Sequence, residues 1–221
     1  MKQILIYRDE GVCASSFRHI FSTLTQLYLQ YETQAVDHRF FFTKGWERSV
    51  ALIVFPGGRD LRYHLCLQGQ GNATIRSYVE GGGRYLGICA GGYYGASYIE
   101  FEKGRELEVC GPRELAFFPG MAIGPAYGET NFSYSSENSA RAASIAWERG
   151  VCKLYYHGGC FFQGVENYPL TQVIATYNDL PQNPAAVVYC RVKEGGAILS
   201  GVHPEYNTNE FFEYVLNKIL T

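Results

Sequence analysis

Residues 87 to 91 read Gly-Ile-Cys-Ala-Gly, and residues 203 to 205 read His-Pro-Glu. A cysteine with glycine two positions before and two after has the spacing of a nucleophile elbow, the sharp strand-to-helix turn that presents a reactive side chain above a sheet. Sulfur at that place attacks a carbonyl carbon and forms a thioester, provided a base takes the thiol proton and N–H donors meet the developing oxyanion. His203 has the chemistry of that base and Glu205 that of its orienter, with Cys89 as nucleophile. Residues two apart in an extended segment point the same way, so Glu205 is expected to meet the His203 ring while Pro204 keeps the backbone extended. Glycine is costly where a helix begins. Gly91, Gly92 and Gly95 together forfeit on the order of 3 kcal/mol against alanine, so something there requires close backbone approach.

These residues need elements to hold them. Residues 3–7 (QILIY) read as a buried strand, and 15–31 as an amphipathic helix with Phe17, Ile20, Phe21, Leu24, Leu27 and Tyr28 on one face. TQAVDH and SVALIVF read as strands, the second ended by Pro56, Gly57 and Gly58. A short helix is expected over 72–80, capped by Asn72 or Thr74 and stopped by Gly81 to Gly83, after which the strand RYLGI runs into Cys89. The alternation implies an α/β fold: a mostly parallel sheet, helices on both faces, and sites at the carboxyl ends of the strands. Beyond residue 99 the pattern turns to irregular strands and then to strand-like segments over 139–147, 153–162, 170–178, 185–192 and 197–202. A helix over 207–221 closes the chain, with Phe211, Phe212, Val215, Leu216 and Ile219 inward. One domain over 1–221 is expected.

Composition removes several classes. With 47% hydrophobic and 18% charged residues the chain is an ordinary packed globular protein. A net charge of -2 without a Lys/Arg cluster speaks against nucleic acid. The apolar run at the start is too short for a signal-peptide core or a membrane span, so a cytoplasmic protein is expected. Seven cysteines without CxxC spacing predict no disulfide framework. His157, Cys160 and Cys152 lack the second paired motif of a zinc site, and no metal or cofactor is expected. Cys13 falls on the carboxyl side of the sheet, where it is either a neighbour of Cys89 that matters for redox sensitivity or a plain loop thiol.

GICAG with a downstream HPE resembles the class I glutamine amidotransferase superfamily. Within it, the segments VFPGGRDLRY, QGQGNATIRSYVEGGGRYLGICAGGYY, ELAFFPGMAIGP, YYHGGCFF and GAILSGVHPE resemble the biotin-protein ligase N-terminal domain-like family over nearly the whole chain. The resemblance implies a flavodoxin-like three-layer fold with extra antiparallel strands, and Cys89, His203 and Glu205 as catalytic residues. It also implies an oxyanion hole from the amides of Gly58 and Ala90. Gly57, Asp60, Tyr63, Gly91, Gly92, Tyr93, Gly158 and Gly159 would line the pocket. Glutamine-using members carry glutamine where this chain has Tyr93. A tyrosine lacks the paired donor and acceptor of an amide, which argues against glutamine as substrate. Ligation of biotin belongs to a separate catalytic domain and is not expected here. Two functions stay open: a cysteine-dependent hydrolase or amide transferase acting on a small molecule, or a silent ligand-binding or regulatory domain. Either would work beside a protein partner such as a synthase or ligase.

Overall fold

The computed structural model describes residues 1–128, 132–206 and 210–220. Strand and helix alternate through β1 (Lys2–Tyr7), α1 (Ala14–Leu27), β2 (Tyr31–Val36), β3 (Val50–Phe55), α2 (Asp60–Leu67), α3 (Gln70–Glu80), β4 (Arg84–Ile88) and α4 (Ala90–Tyr94). Strands then dominate: β5 (Ala96–Phe101), β6 (Val109–Pro112), β7 (Phe118–Gly124), β8 (Arg141–Trp147), β9 (Gly150–Tyr156), β10 (Phe161–Gln163), β11 (Thr171–Tyr177), β12 (Ala185–Val192) and β13 (Gly195–Ser200). Helix α5 (Glu210–Leu220) follows.

The 13 strands of the described residues join one sheet, whose main path runs β2-β1-β3-β4-β13-β12-β10-β7-β5-β6. Its first five strands are parallel, paired β1 with β2 and β3, and β4 with β3 and β13. Period-two alternation gives that parallel half two apolar faces. Leu5, Tyr7, Ile53, Phe55 and Tyr85 point to the side covered by Tyr63, Leu67, Ile75 and Val79 of α2 and α3. Ile4, Ile6, Leu52, Val54 and Leu86 point to the side covered by Phe17, Ile20 and Leu24 of α1 and by Phe211, Phe212 and Val215 of α5. Antiparallel β11, β8 and β9 extend the sheet from β12 outside the main path.

Several boundaries differ from the sequence reading. The first helix stops at Leu27, because residues 31–36 pair in parallel register with β1 and that pairing outweighs helical periodicity. Helix α3 begins at Gln70 after Gly69, and Asn72 is no cap. It is buried and holds the Glu114 carboxylate at 2.7 Å and the Tyr94 hydroxyl. Residues 153–162 form two strands parted by a turn at His157–Cys160. Helix α2, just after Gly58, carried no recognisable periodicity over its 8 residues. Residues 207–209 and 221 of the expected last helix lie outside the described residues.

Candidate active site

Strand β4 delivers Cys89 to a turn at φ 51 and ψ -103, a left-handed backbone that a residue with a Cβ rarely adopts. Such a conformation costs on the order of 1–3 kcal/mol and persists only where its surroundings fix it. Here they do. The Cys89 amide donates to the Ser200 carbonyl at 2.7 Å, and the Gly91 amide to Pro56 at 3.3 Å. A Cβ on Gly87 would stand 2.2 Å from the Gly91 carbonyl, and one on Gly91 would stand 2.1 Å from that of Phe55. Only hydrogen fits at either place, so the glycines serve the contact between the elbow and the ends of β3 and β13.

His203 lies beyond the end of β13, its amide donating to the Tyr155 carbonyl at 2.9 Å. Its ring sits among Tyr155, Tyr206 and Gly57; a Cβ on Gly57 would be 2.6 Å from its Cε1. Nδ1 meets Glu205 Oε1 at 2.8 Å. The expected extended backbone is not how this contact is made: residues 204–206 form a 3-10 turn, and the turn brings Glu205 back onto the ring. Proline fits the first position of a helical turn as well as it fits an extended chain. Burial opposes a charged imidazole, but Glu205 first and Cys89 next outweigh it and hold His203 well above the ordinary histidine range.

Ser16, which the sequence did not single out, ties the parts together. Its hydroxyl donates to Glu205 Oε1 at 2.7 Å and accepts the Gly57 amide at 2.9 Å. Ser16→Ala leaves both groups short of a partner in a buried place, and about 1–3 kcal/mol of stability is expected to go. Urea denaturation measures it; a midpoint equal to wild type would contradict the linkage.

Gly58 bridges Val12 in a narrow pair whose two bonds are Cys13 amide to Gly57 carbonyl and Arg59 amide to Gly11 carbonyl, both 2.8 Å. That leaves the Gly58 amide turned away from residues 11–13, and its φ of 149 beside Gly11 admits no side chain. Ala90, first residue of α4, has no intrahelical partner for its amide.

Two cavities meet at Cys89. The outer one, about 260 Å³, is lined by Cys13, Gly58, Cys89, Tyr155, His157 and His203 among others. The inner one, about 20 Å³, is lined by Gly58, Asp60, Cys89, Ala90, Tyr93 and Gly158, and by His157 and aromatic rings. Five expected lining residues are elsewhere. Tyr63 is fully buried, its hydroxyl donating to the Gly57 carbonyl at 3.0 Å, so it supports the turn from beneath. Gly57, Gly91 and Gly92 form the backing against His203, Phe55 and Ser200, and Gly159 packs on Gly201. A larger cleft of about 710 Å³ around Lys2, Val50 and Gly81 to Gly83 contains no cysteine or histidine.

Cys13, at the start of α1, faces the outer cavity with Sγ 3.2 Å from the Ser15 hydroxyl. Burial pushes its thiol up, but the Ser15 hydroxyl, the amides of Ser16 and Ser15, and His203 overcome this and lower it. All seven cysteines are unpaired. Among the described residues no three His, Cys, Asp or Glu group as a metal site, and no helix is long and apolar enough to cross a membrane.

The His203 shift has a consequence for stability. A raised folded value stabilises fully below the unfolded value of about 6.5 and loses that contribution as pH rises through the folded one. The stability gap between wild type and His203→Gln, measured by denaturant titration, is therefore expected to narrow as pH increases above about 6.5; a widening gap would contradict the assignment.

Comparison with known proteins agrees with this architecture. A family model described as biotin-protein ligase, N terminal, matches residues 2–218. An uncharacterized protein of Chlamydia muridarum is 40% identical over 211 residues, covering 93% of this chain and 81% of that one. The biotin–protein ligase of Schizosaccharomyces pombe is 35% identical over 212 residues, covering 92% of this chain; this chain spans only 33% of that ligase. The fold is similar to a glutamine amidotransferase of Thermotoga maritima, with TM-score 0.53 at 13% identity over 92% of this chain and 76% of that one.

Proposed function

Because the chain belongs to the biotin-protein ligase N-terminal family, we propose that within it this protein is a cysteine-dependent hydrolase or amide transferase acting on a small molecule through a thioester at Cys89. The observation that carries the reading is the His203–Glu205 contact of 2.8 Å behind a Cys89 held at φ 51. Glu205 fixes the ring and favours its charged form, so His203 takes the thiol proton and keeps the resulting thiolate as an ion pair. The thiolate adds to a carbonyl carbon, the amides of Gly58 and Ala90 meet the oxyanion, and the leaving group departs with the His203 proton. Water or an acceptor nucleophile then releases the acyl group.

Unpaired cysteines suit a reducing, cytoplasmic setting. A synthase or ligase is the kind of protein partner that such a domain would serve.

Acid-quenched intact-mass measurement with a panel of small amides and activated esters tests the reading. The expected result is an acyl adduct on Cys89, absent in Cys89→Ser; acylation spread evenly over the thiols would contradict it. A second reading, a ligand-sensing module beside a biotin-protein ligase, is favoured by the match to one part of the fission yeast enzyme. It predicts stabilisation by biotin without any adduct, about 2.7 kcal/mol at 100 times the dissociation constant.

A further inference from the structure

His157 stands in the wall of both cavities beside Cys89 and plays no part in the Cys89–His203–Glu205 arrangement. Its backbone carbonyl accepts the Cys89 thiol at 3.7 Å, which fixes it next to the sulfur. Nε2 is buried and has no hydrogen-bond partner among the described residues. A neutral imidazole carries its proton on one nitrogen, and with that proton on Nδ1 the Nε2 lone pair is free. The inner cavity has about 20 Å³, which exceeds the roughly 10–15 Å³ that one water needs. Its wall includes His157, Asp60 and Ala90, residues with polar groups to offer that water.

Resting on the thioester reading above, we propose that His157 is the base that activates water for hydrolysis of the Cys89 thioester. The water oxygen bonds to the thioester carbonyl carbon, and one water proton passes to His157 Nε2. His203, left neutral when its proton went with the leaving group, regains a proton from solvent; the C–S bond then breaks, the acid leaves, and sulfur departs as a thiolate paired with the His203 imidazolium. His157 then returns its proton to solvent.

The two histidines are suited to opposite work. His203 faces the buried Glu205, which favours its charged form, so once recharged after acylation its ring has no free lone pair. His157 is held below the ordinary range, first by burial and then by the cationic His203, against the opposing pull of Glu137 and the Ser136 carbonyl. Asp60, Tyr93, Tyr134 and Cys89 are the other titratable groups of the inner cavity, and Cys13, Glu137, Tyr155, His203 and Tyr206 are those the outer one adds. Paired groups pushed in opposite directions mark acid and base.

p-Nitrophenyl acetate is the probe. Nitrophenolate leaves as the acetyl group joins Cys89, so the burst reports acylation and the later steady rate reports hydrolysis. In His157→Phe and His157→Gln the burst is expected to stay within about twofold of wild type while the steady rate drops about 100-fold and the acetylated protein accumulates. In wild type, the steady rate should hold as pH is lowered through about 6.5 and fall only below it, when Nε2 becomes protonated. Equal loss of burst and steady rate in both variants, or a steady rate that falls off already above pH about 6.5, overturns the proposal. Absence of any Cys89-dependent burst in wild type instead overturns the thioester reading itself.

Discussion

Replacing His203 with glutamine is expected to slow iodoacetamide alkylation of Cys89 about 100-fold at neutral pH, the usual scale for removing a positioned base. Thiolate is the reacting species, and its partner in the site is the imidazolium held by Glu205 at 2.8 Å. Glutamine keeps much of the volume and a hydrogen-bonding end but carries no charge. Cys13 faces the same cavity and has a smaller dependence on His203, so its rate should fall only slightly. Cys160 and Cys190 are buried with their thiols pushed up, and they should stay slow in both proteins. Peptide mapping after timed quenching reads all of these together. A Cys89 rate unchanged in the variant would mean that the imidazole does not act on the sulfur.

Arg113→Met is expected to cost about 3–5 kcal/mol, the largest stability loss predicted for a single substitution here. Arg113 Nε meets Asp60 Oδ2 at 2.7 Å where both side chains are almost wholly buried. Its Nη1 donates to the Pro112 carbonyl at 2.9 Å. Burial already raises the Asp60 carboxyl despite the attraction of Arg113, and without the guanidinium the carboxylate stands uncompensated. The sign of the pH dependence follows: a raised carboxyl binds more protons folded than unfolded, so stability falls as pH rises through the folded value. The deficit of the variant should therefore be larger at pH about 8 than at pH about 5. Denaturant titrations at both values measure it. An equal deficit at the two would show that packing rather than charge is lost. Asp60 also borders the inner cavity, so the pair fixes part of that wall as well as the fold.

The elbow was legible because its constraints are local. Strand RYLGI, the glycines on either side of Cys89 and the following helix start all lie within a few residues, and the close approaches at Gly87 and Gly91 explain that composition. His203 and Glu205 were legible as residue types near a strand end. The geometry joining them was not, since Pro204 is compatible with both an extended chain and the 3-10 turn that forms. Ser16, Tyr155 and Tyr206 were invisible for another reason. Each comes to the site from a distant element through the order of strands, and each is chemically ordinary where it stands in the chain. His157 was noticed only as part of an HxxC spacing; its buried, unpartnered Nε2 is a property of the folded cavity. Helix α2 illustrates the same limit, since its Tyr63 and Leu67 are buried by β1 and β3 rather than marked by a long apolar repeat.

The measurement that bears most directly on the central claim is the relative rate of iodoacetamide labelling at each of the seven cysteines of the wild-type protein at neutral pH. Cys89, buried yet facing a cavity with His203 at its sulfur, should label first and Cys13 second. If Cys89 labels no faster than the exposed Cys110, then the imidazolium does not sustain a thiolate there, and the proposal of chemistry at this site is contradicted.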